Sequence, residues 1–206
     1  MARFGLGSRC RMLTICEERM CAGCMACADI CPTGAVTVEP GIDFYRPAID
    51  QERCIDCGRC AKVCQQLHPA GLRAPAVWYQ GWADDPAERE ASSSGGFATA
   101  IARAFAASGG AVCACAFFGG RFGFEVVDDP DEVDRFRGSK YVKSDPSGAY
   151  RDVRALLRDG RKVLFIGLPC QVSAMRNFVG EEHGRRLYTI DLICHGTPSP
   201  QLLETF

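Results

Sequence analysis

From Val77 onward the chain alternates short apolar runs with amphipathic stretches, and that alternation predicts its elements. Val77 to Trp82 alternates bulky apolar residues with others and reads as a first strand. Ser92-Ser93-Ser94-Gly95-Gly96 then opens a helix with Phe97, Ile101 and Phe105 on one face, stopped by Gly109-Gly110. Ala111 to Phe118 and Phe122 to Val127 are compact apolar strands either side of Gly119-Gly120. Asp145-Pro146 marks a helix start, with Tyr150, Val153, Leu156 and Leu157 as its apolar stripe and Gly160 as its stop. Val163 to Ile166 is apolar on both faces, the pattern of a covered parallel strand. Pro169 to Val179 reads as helix and Leu187 to Ile193 as a further strand. Strand, helix and strand in that order predict a right-handed crossover, so this part is α/β. Ser199 to Phe206 begins another helix without a closing signal, which predicts a truncated chain and an incomplete unit.

Before Val77 the apolar positions are sparse. Val36 and Val38 on one side, and Tyr45 to Ile49 on the other, predict two short strands, with Met12 to Cys16 as a further strand ahead of them. His68 to Ala76 carries two prolines and a glycine, the composition of a linker. The expected division is therefore residues 1–67, a linker over 68–76, and an α/β unit over 77–206.

Composition sharpens this picture at one point. Lysine and arginine number 24 against 25 acidic residues, a net charge of −1, which points away from nucleic acid and anionic membranes. Ala104 to Gly120 carries no charge, but Ser108-Gly109-Gly110 interrupts it, so no membrane span is expected. The start of the chain lacks the apolar core of a secretory signal. Fourteen cysteines in such a chain read as metal ligands in a reducing, cytoplasmic setting.

Eight of those cysteines form two copies of one spacing. Cys21, Cys24, Cys27 and Cys31 precede Pro32; Cys54, Cys57, Cys60 and Cys64 precede Gln65, where the first copy has its proline. Three cysteines two residues apart wrap one corner of a 4Fe–4S cubane, and the fourth reaches the other cubane. The expected sets are Cys21, Cys24, Cys27 and Cys64 for one cluster, and Cys54, Cys57, Cys60 and Cys31 for the second. Zinc ribbons would leave half of these sulfurs without a use, and disulfides would need an oxidising compartment. The stretch resembles the bacterial-type two-cluster ferredoxin fold. Cys10 and Cys16 precede it and read as free or buried thiols. Cys113 and Cys115 are expected on opposite sides of their strand, as small core residues.

Three further motifs carry candidate chemistry. Ser93-Ser94-Gly95-Gly96 opens a helix whose free N–H groups suit a phosphate, although a bare helix cap is the simpler reading. Gly138-Ser139-Lys140-Tyr141 sets a lysine beside a flexible glycine, in a stretch with Arg135, Arg137 and Lys143 that reads as a solvated charged face. Cys170 stands at a helix N-terminus and Cys194 ends a strand, both at the carboxyl edge of a parallel sheet, where α/β sites are built.

Together SSSGGF (92–97), GSKY (138–141), VLFIGLPCQV (163–172) and DLICHGTPSP (191–200) resemble the family of the coenzyme F-420 hydrogenase/dehydrogenase beta subunit, many of whose members carry an N-terminal two-cluster ferredoxin domain. The resemblance implies an iron–sulfur flavoprotein oxidoreductase, with Ser94, Gly95, Gly96 and Lys140 near FAD. It also implies a third 4Fe–4S cluster on Cys170 and Cys194, completed by a downstream CxxC that these 206 residues do not contain. The implied fold is an α+β ferredoxin-like module followed by part of an α/β flavin-binding domain. The implied partners are a redox protein or subunit and a flavin, deazaflavin or other small redox substrate. The alternative is a non-catalytic electron-transfer or docking subunit with a degenerate flavin domain. His195 beside Cys194 reads as structural rather than as an acid or base.

Overall fold

The computed structural model describes residues 14–17, 19–71 and 74–205. Cys10 and part of the strand expected from Met12 lie outside them, and Thr14 to Cys16 is not a strand. In the cysteine-rich unit, helix α1 (Ala26–Ile30) follows the first run and α2 (Arg59–Val63) follows Cys54 and Cys57 of the second. Each starts from a left-handed residue, Met25 or Gly58, which turns the cysteine loop sharply into the helix. Between them β1 (Val36–Glu39) pairs antiparallel with β2 (Arg46–Ile49). Gly23 has φ +61°, and a Cβ there would lie 2.6 Å from the Tyr45 ring, so the first loop can take only glycine at that corner.

The second unit contains α3 (Pro86–Glu90), α4 (Phe97–Ala107), β3 (Ala111–Phe118), β4 (Arg121–Val127) and a 3₁₀ helix (Pro130–Phe136). It continues with α5 (Ala149–Arg158), β5 (Val163–Gly167), α6 (Pro169–Gly184), β6 (Leu187–Asp191) and α7 (Pro200–Glu204). Its sheet runs β4-β3-β5-β6, with β3, β5 and β6 parallel and β4 antiparallel to β3. The period-two alternation of β3 and β5 sorts two cores. Val112, Ala114, Leu164 and Ile166 pack with Ala102, Ala106 and Val133 of α4 and the 3₁₀ helix. Cys113 and Phe165 pack on the other face with Tyr150, Leu157, Met175 and Phe178 of α5 and α6. Ala26 of α1 and Val63 of α2 belong to this second core, so the two units share buried surface.

Four local expectations need correction. Val77–Trp82 is not a strand: no neighbour pairs with it, and Trp78 and Tyr79 are 84% and 85% exposed. On α4 the buried positions are Ala102 and Ala106, while Phe97 and Ile101 face outward, because small residues let the helix lie close to the sheet. Helix α5 begins at Ala149 rather than beside Asp145-Pro146, which instead form a turn in which Asp145 accepts the Ser147 N–H at 2.9 Å. Cys113 and Cys115 are two residues apart and so share one strand face. Helix α6 runs past Val179, with a left-handed break at Gly180. Among the described residues no helix is long and apolar enough to cross a membrane.

Candidate functional site

The two cysteine runs exchange their last members. Cys64, at the end of α2, comes to Cys21, Cys24 and Cys27 of the first loop. Cys31, at the end of α1, comes to Cys60 of the second loop, which also has Cys57 near it. The exchange follows from the two helices packing together, each carrying its final cysteine past the other's loop.

The first group is the inner one. Cys27 and Cys64 are buried, and a small apolar cavity lies among Ile15, Cys16, Cys21, Cys24, Cys27 and Cys64. Burial pushes the Cys24 thiol up to about 12 and raises Cys27 strongly as well. Bare thiolates are therefore unfavourable here, whereas a bound metal group supplies the positive charge that makes the same sulfurs thiolate ligands. The donor set is all sulfur. Among the described residues no group of three or more His, Cys, Asp or Glu side chains is placed to hold a metal ion; an all-sulfur set of four is the ligand type of a 4Fe–4S cluster. Sequence spacing missed Cys16, which is buried in the same cavity; burial, then Cys21 and Cys64, push its thiol up to about 12.

The second group is the outer one. Cys57 is exposed, Cys31, Cys54 and Cys60 are half-buried, and neighbouring Ile55 is 63% exposed. Burial raises the Cys31 thiol, but hydrogen bonds from the Thr33 hydroxyl and from the Thr33, Ala35 and Val36 N–H groups outweigh it and lower the pKa. The Ala35 N–H lies 3.2 Å from Cys31 Sγ.

Polar ties fasten the inner site to the second unit. Both Asp29 carboxylate oxygens accept the Gly148 N–H at 2.9 Å, which caps α5 from a residue far away in sequence. Tyr150, fully buried, donates its hydroxyl to the Cys24 carbonyl at 2.6 Å. Asn177 of α6 donates to the His68 carbonyl at 2.8 Å, and the Ala70 N–H donates to Ser173 Oγ at 3.1 Å, so residues 68–70 lie along α6. Cys170, second residue of α6, lies close enough to Cys24 to raise its thiol. Lys143 donates its ammonium to Cys170 Sγ at 3.1 Å. Lys143 is only 6% exposed, so it is not part of a solvated face. Gly167 and Asp191 are register partners of β5 and β6, so Cys170 and Cys194 both lie three residues beyond the same carboxyl edge. Cys194 is half-buried and accepts the Gly196 N–H at 3.4 Å; His195 is exposed.

The glycine turn and the GSKY loop also meet. Ser93 Oγ accepts the Ser139 N–H at 2.7 Å. Gly96 is buried with φ +73°, and a Cβ there would meet Ala83, the Glu88 carbonyl and Ser92 at 3.2–3.3 Å. Ser94 is exposed in front of α4. The Lys140 ammonium donates to the carbonyls of Phe136 and Arg137 at 2.7 and 2.9 Å, holding the end of the 3₁₀ helix. Arg137 is likewise not merely solvated: its guanidinium binds both oxygens of buried Glu88, at 3.1 and 2.7 Å, and Asp134 at 2.8 Å. Arg103 joins this network through Glu88 at 3.2 Å and through Asp134. Its four members fix α3, α4 and the GSKY loop around one buried carboxylate.

Comparison with known proteins follows the same division. Residues 20–66 match the 4Fe-4S dicluster domain, so the cysteine-rich unit is of a 4Fe–4S-binding kind. Residues 78–149 match the N-terminal part, and residues 160–206 the C-terminal part, of the coenzyme F420 hydrogenase/dehydrogenase beta subunit. A subunit of the F(420)H(2) dehydrogenase of Methanosarcina mazei is 25% identical over 195 residues, 89% of this chain and 56% of its own length. The chain thus spans little more than half of that relative. A subunit of an ion-translocating oxidoreductase complex of Methanosarcina acetivorans is 40% identical over 52 residues, 25% of this chain and 18% of its own. A chain of the F420-reducing NiFe hydrogenase complex from Methanosarcina barkeri shares the fold, with a TM-score of 0.50 at 20% identity over 60% of this chain and 46% of that one.

Proposed function

The chain belongs to the family of the coenzyme F420 hydrogenase/dehydrogenase beta subunit, and we propose that it passes electrons between two 4Fe–4S clusters and a flavin on its α/β unit. It is an iron–sulfur subunit of oxidoreductase type. In this reading Cys21, Cys24, Cys27 and Cys64 hold the inner cluster, and Cys54, Cys57, Cys60 and Cys31 the outer one. The observation that carries it is the exchange of Cys31 and Cys64 between the runs, which brings the two sites onto one pair of packed helices. The clusters supply one-electron steps, and the flavin would couple them to a two-electron exchange with a deazaflavin or other redox substrate.

The residues of the chain divide the remaining work. Ser94, Gly95 and Gly96 offer free N–H groups at the start of α4 to a flavin phosphate, and the Ser93–Ser139 contact aligns the GSKY loop beside them. Lys140 serves by keeping that loop against the 3₁₀ helix, with one N–H left to face a ligand. Cys170 and Cys194, at one sheet edge, form half of a site for a third cluster whose other ligands would come from elsewhere. A redox partner protein suits a chain whose relative from Methanosarcina mazei is itself named as a subunit.

Anaerobic purification with iron, sulfide and flavin counted on one sample tests this. About eight irons and one FAD per chain are the expected result. About eight irons without flavin would favour the second reading, an electron-transfer or docking subunit with a degenerate flavin site. The commitment of Lys140 to two carbonyls is the observation on that side. Far fewer than eight irons would remove the two-cluster assignment.

A further inference from the structure

A 4Fe–4S cluster takes four thiolates, yet five cysteines line the inner cavity: Cys16, Cys21, Cys24, Cys27 and Cys64. Cys16 is only 7% exposed and packs with Cys27, Cys64, Val36 and Ile49, with Cys21 against the same group. The Thr14 hydroxyl donates to the Cys16 carbonyl at 3.1 Å and reaches the Pro47 carbonyl of β2 at 3.4 Å, which ties this segment to the hairpin. The chain then doubles back. The Met20 N–H donates to the Glu17 carbonyl at 3.1 Å and Arg19 is left-handed, with φ +72°, so Cys16 and Cys21 flank one tight turn. Glu17, Arg19 and Met20 of that turn are exposed. The other three inner cysteines are fixed more firmly. Cys27 lies within α1, Cys64 ends α2 with its N–H on the Ala61 carbonyl at 3.1 Å, and the Cys24 carbonyl holds the Tyr150 hydroxyl. Cys21 belongs to no helix or strand. Packing does not demand a cysteine at position 16. Ile49 stands at the same distance before Cys54 as Cys16 does before Cys21, and it fills its place in the same core as a plain hydrocarbon.

We infer that Cys16 is a fifth donor of the inner iron–sulfur site, able to take the place of Cys21 as a ligand. The inference rests on the reading that the inner sulfurs hold a 4Fe–4S cluster. In the exchange the iron–sulfur bond to Cys21 breaks and one to Cys16 forms. The Cys16 thiol gives up its proton, the released Cys21 thiolate takes one up, and no electron moves. Both sulfurs line the same cavity, so the cluster need not meet water while its ligand changes. The movement required is confined to a solvent-exposed turn, the part of the inner loop with least packing to lose. Cys24, Cys27 and Cys64 are held by helices or by Tyr150, and Cys16 does not substitute for them. The outer run has no such reserve, because its corresponding residue is Ile49. The inner cluster thus survives damage to Cys21, whereas the outer one depends on all four of its cysteines.

The test counts iron and sulfide in anaerobically purified chains: wild type, Cys16→Ala, Cys21→Ala, Cys24→Ala and the double variant Cys16→Ala/Cys21→Ala. Electron paramagnetic resonance on the same samples shows whether the inner cluster keeps four irons or sheds one. Wild type, Cys16→Ala and Cys21→Ala should each hold about eight irons. The double variant and Cys24→Ala should lose inner iron, down to about four in all, or about seven where a three-iron form survives. The comparison that decides is Cys21→Ala against the double variant. A loss of iron as large in Cys21→Ala as in the double variant overturns the inference, and so does full loading of both. Loss of inner iron from Cys16→Ala alone also overturns it, since the residue would then be indispensable rather than a reserve. If the alanine variants are not recovered in soluble form, the serine variants of the same residues are read in the same way. A wild-type chain without inner iron would instead fail the underlying cluster reading.

Discussion

Two cysteine runs with the same spacing end in opposite surroundings. The first meets α5 and α6, loses its water and shares a core with the sheet; the second keeps an exposed cysteine and an exposed isoleucine beside solvent. Spacing alone therefore decides what can be bound, and packing decides what the bound group communicates with. The inner site is tied to the second unit through Tyr150 and Asp29, whereas the outer site is turned toward solvent.

The contrast is sharpest when each site loses its exchanged ligand. Cys64→Ser and Cys31→Ser should each cut iron to about half, because each run closes the other's site. Cys64→Ser should also lower the thermal midpoint much more, because the inner site is continuous with a core and the outer one is not. Equal midpoints in a melting experiment would erase the distinction. Next in size, Glu88→Gln should cost about 3 kcal/mol by leaving Arg103 and Arg137 without their buried carboxylate. It should leave the release of outer iron to a chelator unchanged. The hydrogen bond from Arg137, then that from Arg103, holds the Glu88 carboxyl below its ordinary 4.5 against the opposing effect of burial. Its contribution is thus complete above that range and is lost as pH falls through the depressed folded value. Urea midpoints that do not differ between wild type and Glu88→Gln at neutral pH would rule this out.

A smaller effect should come from Tyr150→Phe, about 1–2 kcal/mol, since the Cys24 carbonyl loses its buried donor. Chelator-driven iron loss should then quicken for the inner half of the iron alone. Smallest of all, Ile55→Ala should stay within about 0.5 kcal/mol and keep both halves of the iron, as an exposed side chain with little to lose. A marked loss of iron in that variant would mean that the outer site is less open than its exposure indicates.

These contrasts also mark what a linear reading can reach. The ferredoxin-like spacing and the strand–helix–strand order of the second unit follow from local chemistry, and β3, β4, β5 and α6 lie where their apolar patterns predict. Val77 to Trp82 has the alternation of a strand and lacks only a partner, which is a property of the assembled sheet. The start of α5 escapes a local reading because its cap is Asp29, supplied by the other unit. Lys143 and Arg137 read as surface charges because charge is visible in a sequence and burial against a remote partner is not. Cys16 is hidden for the same reason: it belongs to no spacing, and only the folded hairpin carries it to the inner sulfurs. The glycine turn and the lysine loop are each legible in the sequence, but their meeting through Ser93 and Ser139 requires the fold.

The cap that Asp29 places on Gly148 reaches beyond geometry. Asp29 lies in α1, between two cysteines that serve different sites, and α1 has only five residues with which to hold itself. Without metal to tether both of its ends, that short helix has little reason to persist, and α5 would start without its acceptor. The state of the cysteine-rich unit is thereby expected to reach the α/β half through one carboxylate. A chain whose α1 is held at both ends should therefore keep the first turn of α5 better formed than one in which that helix frays.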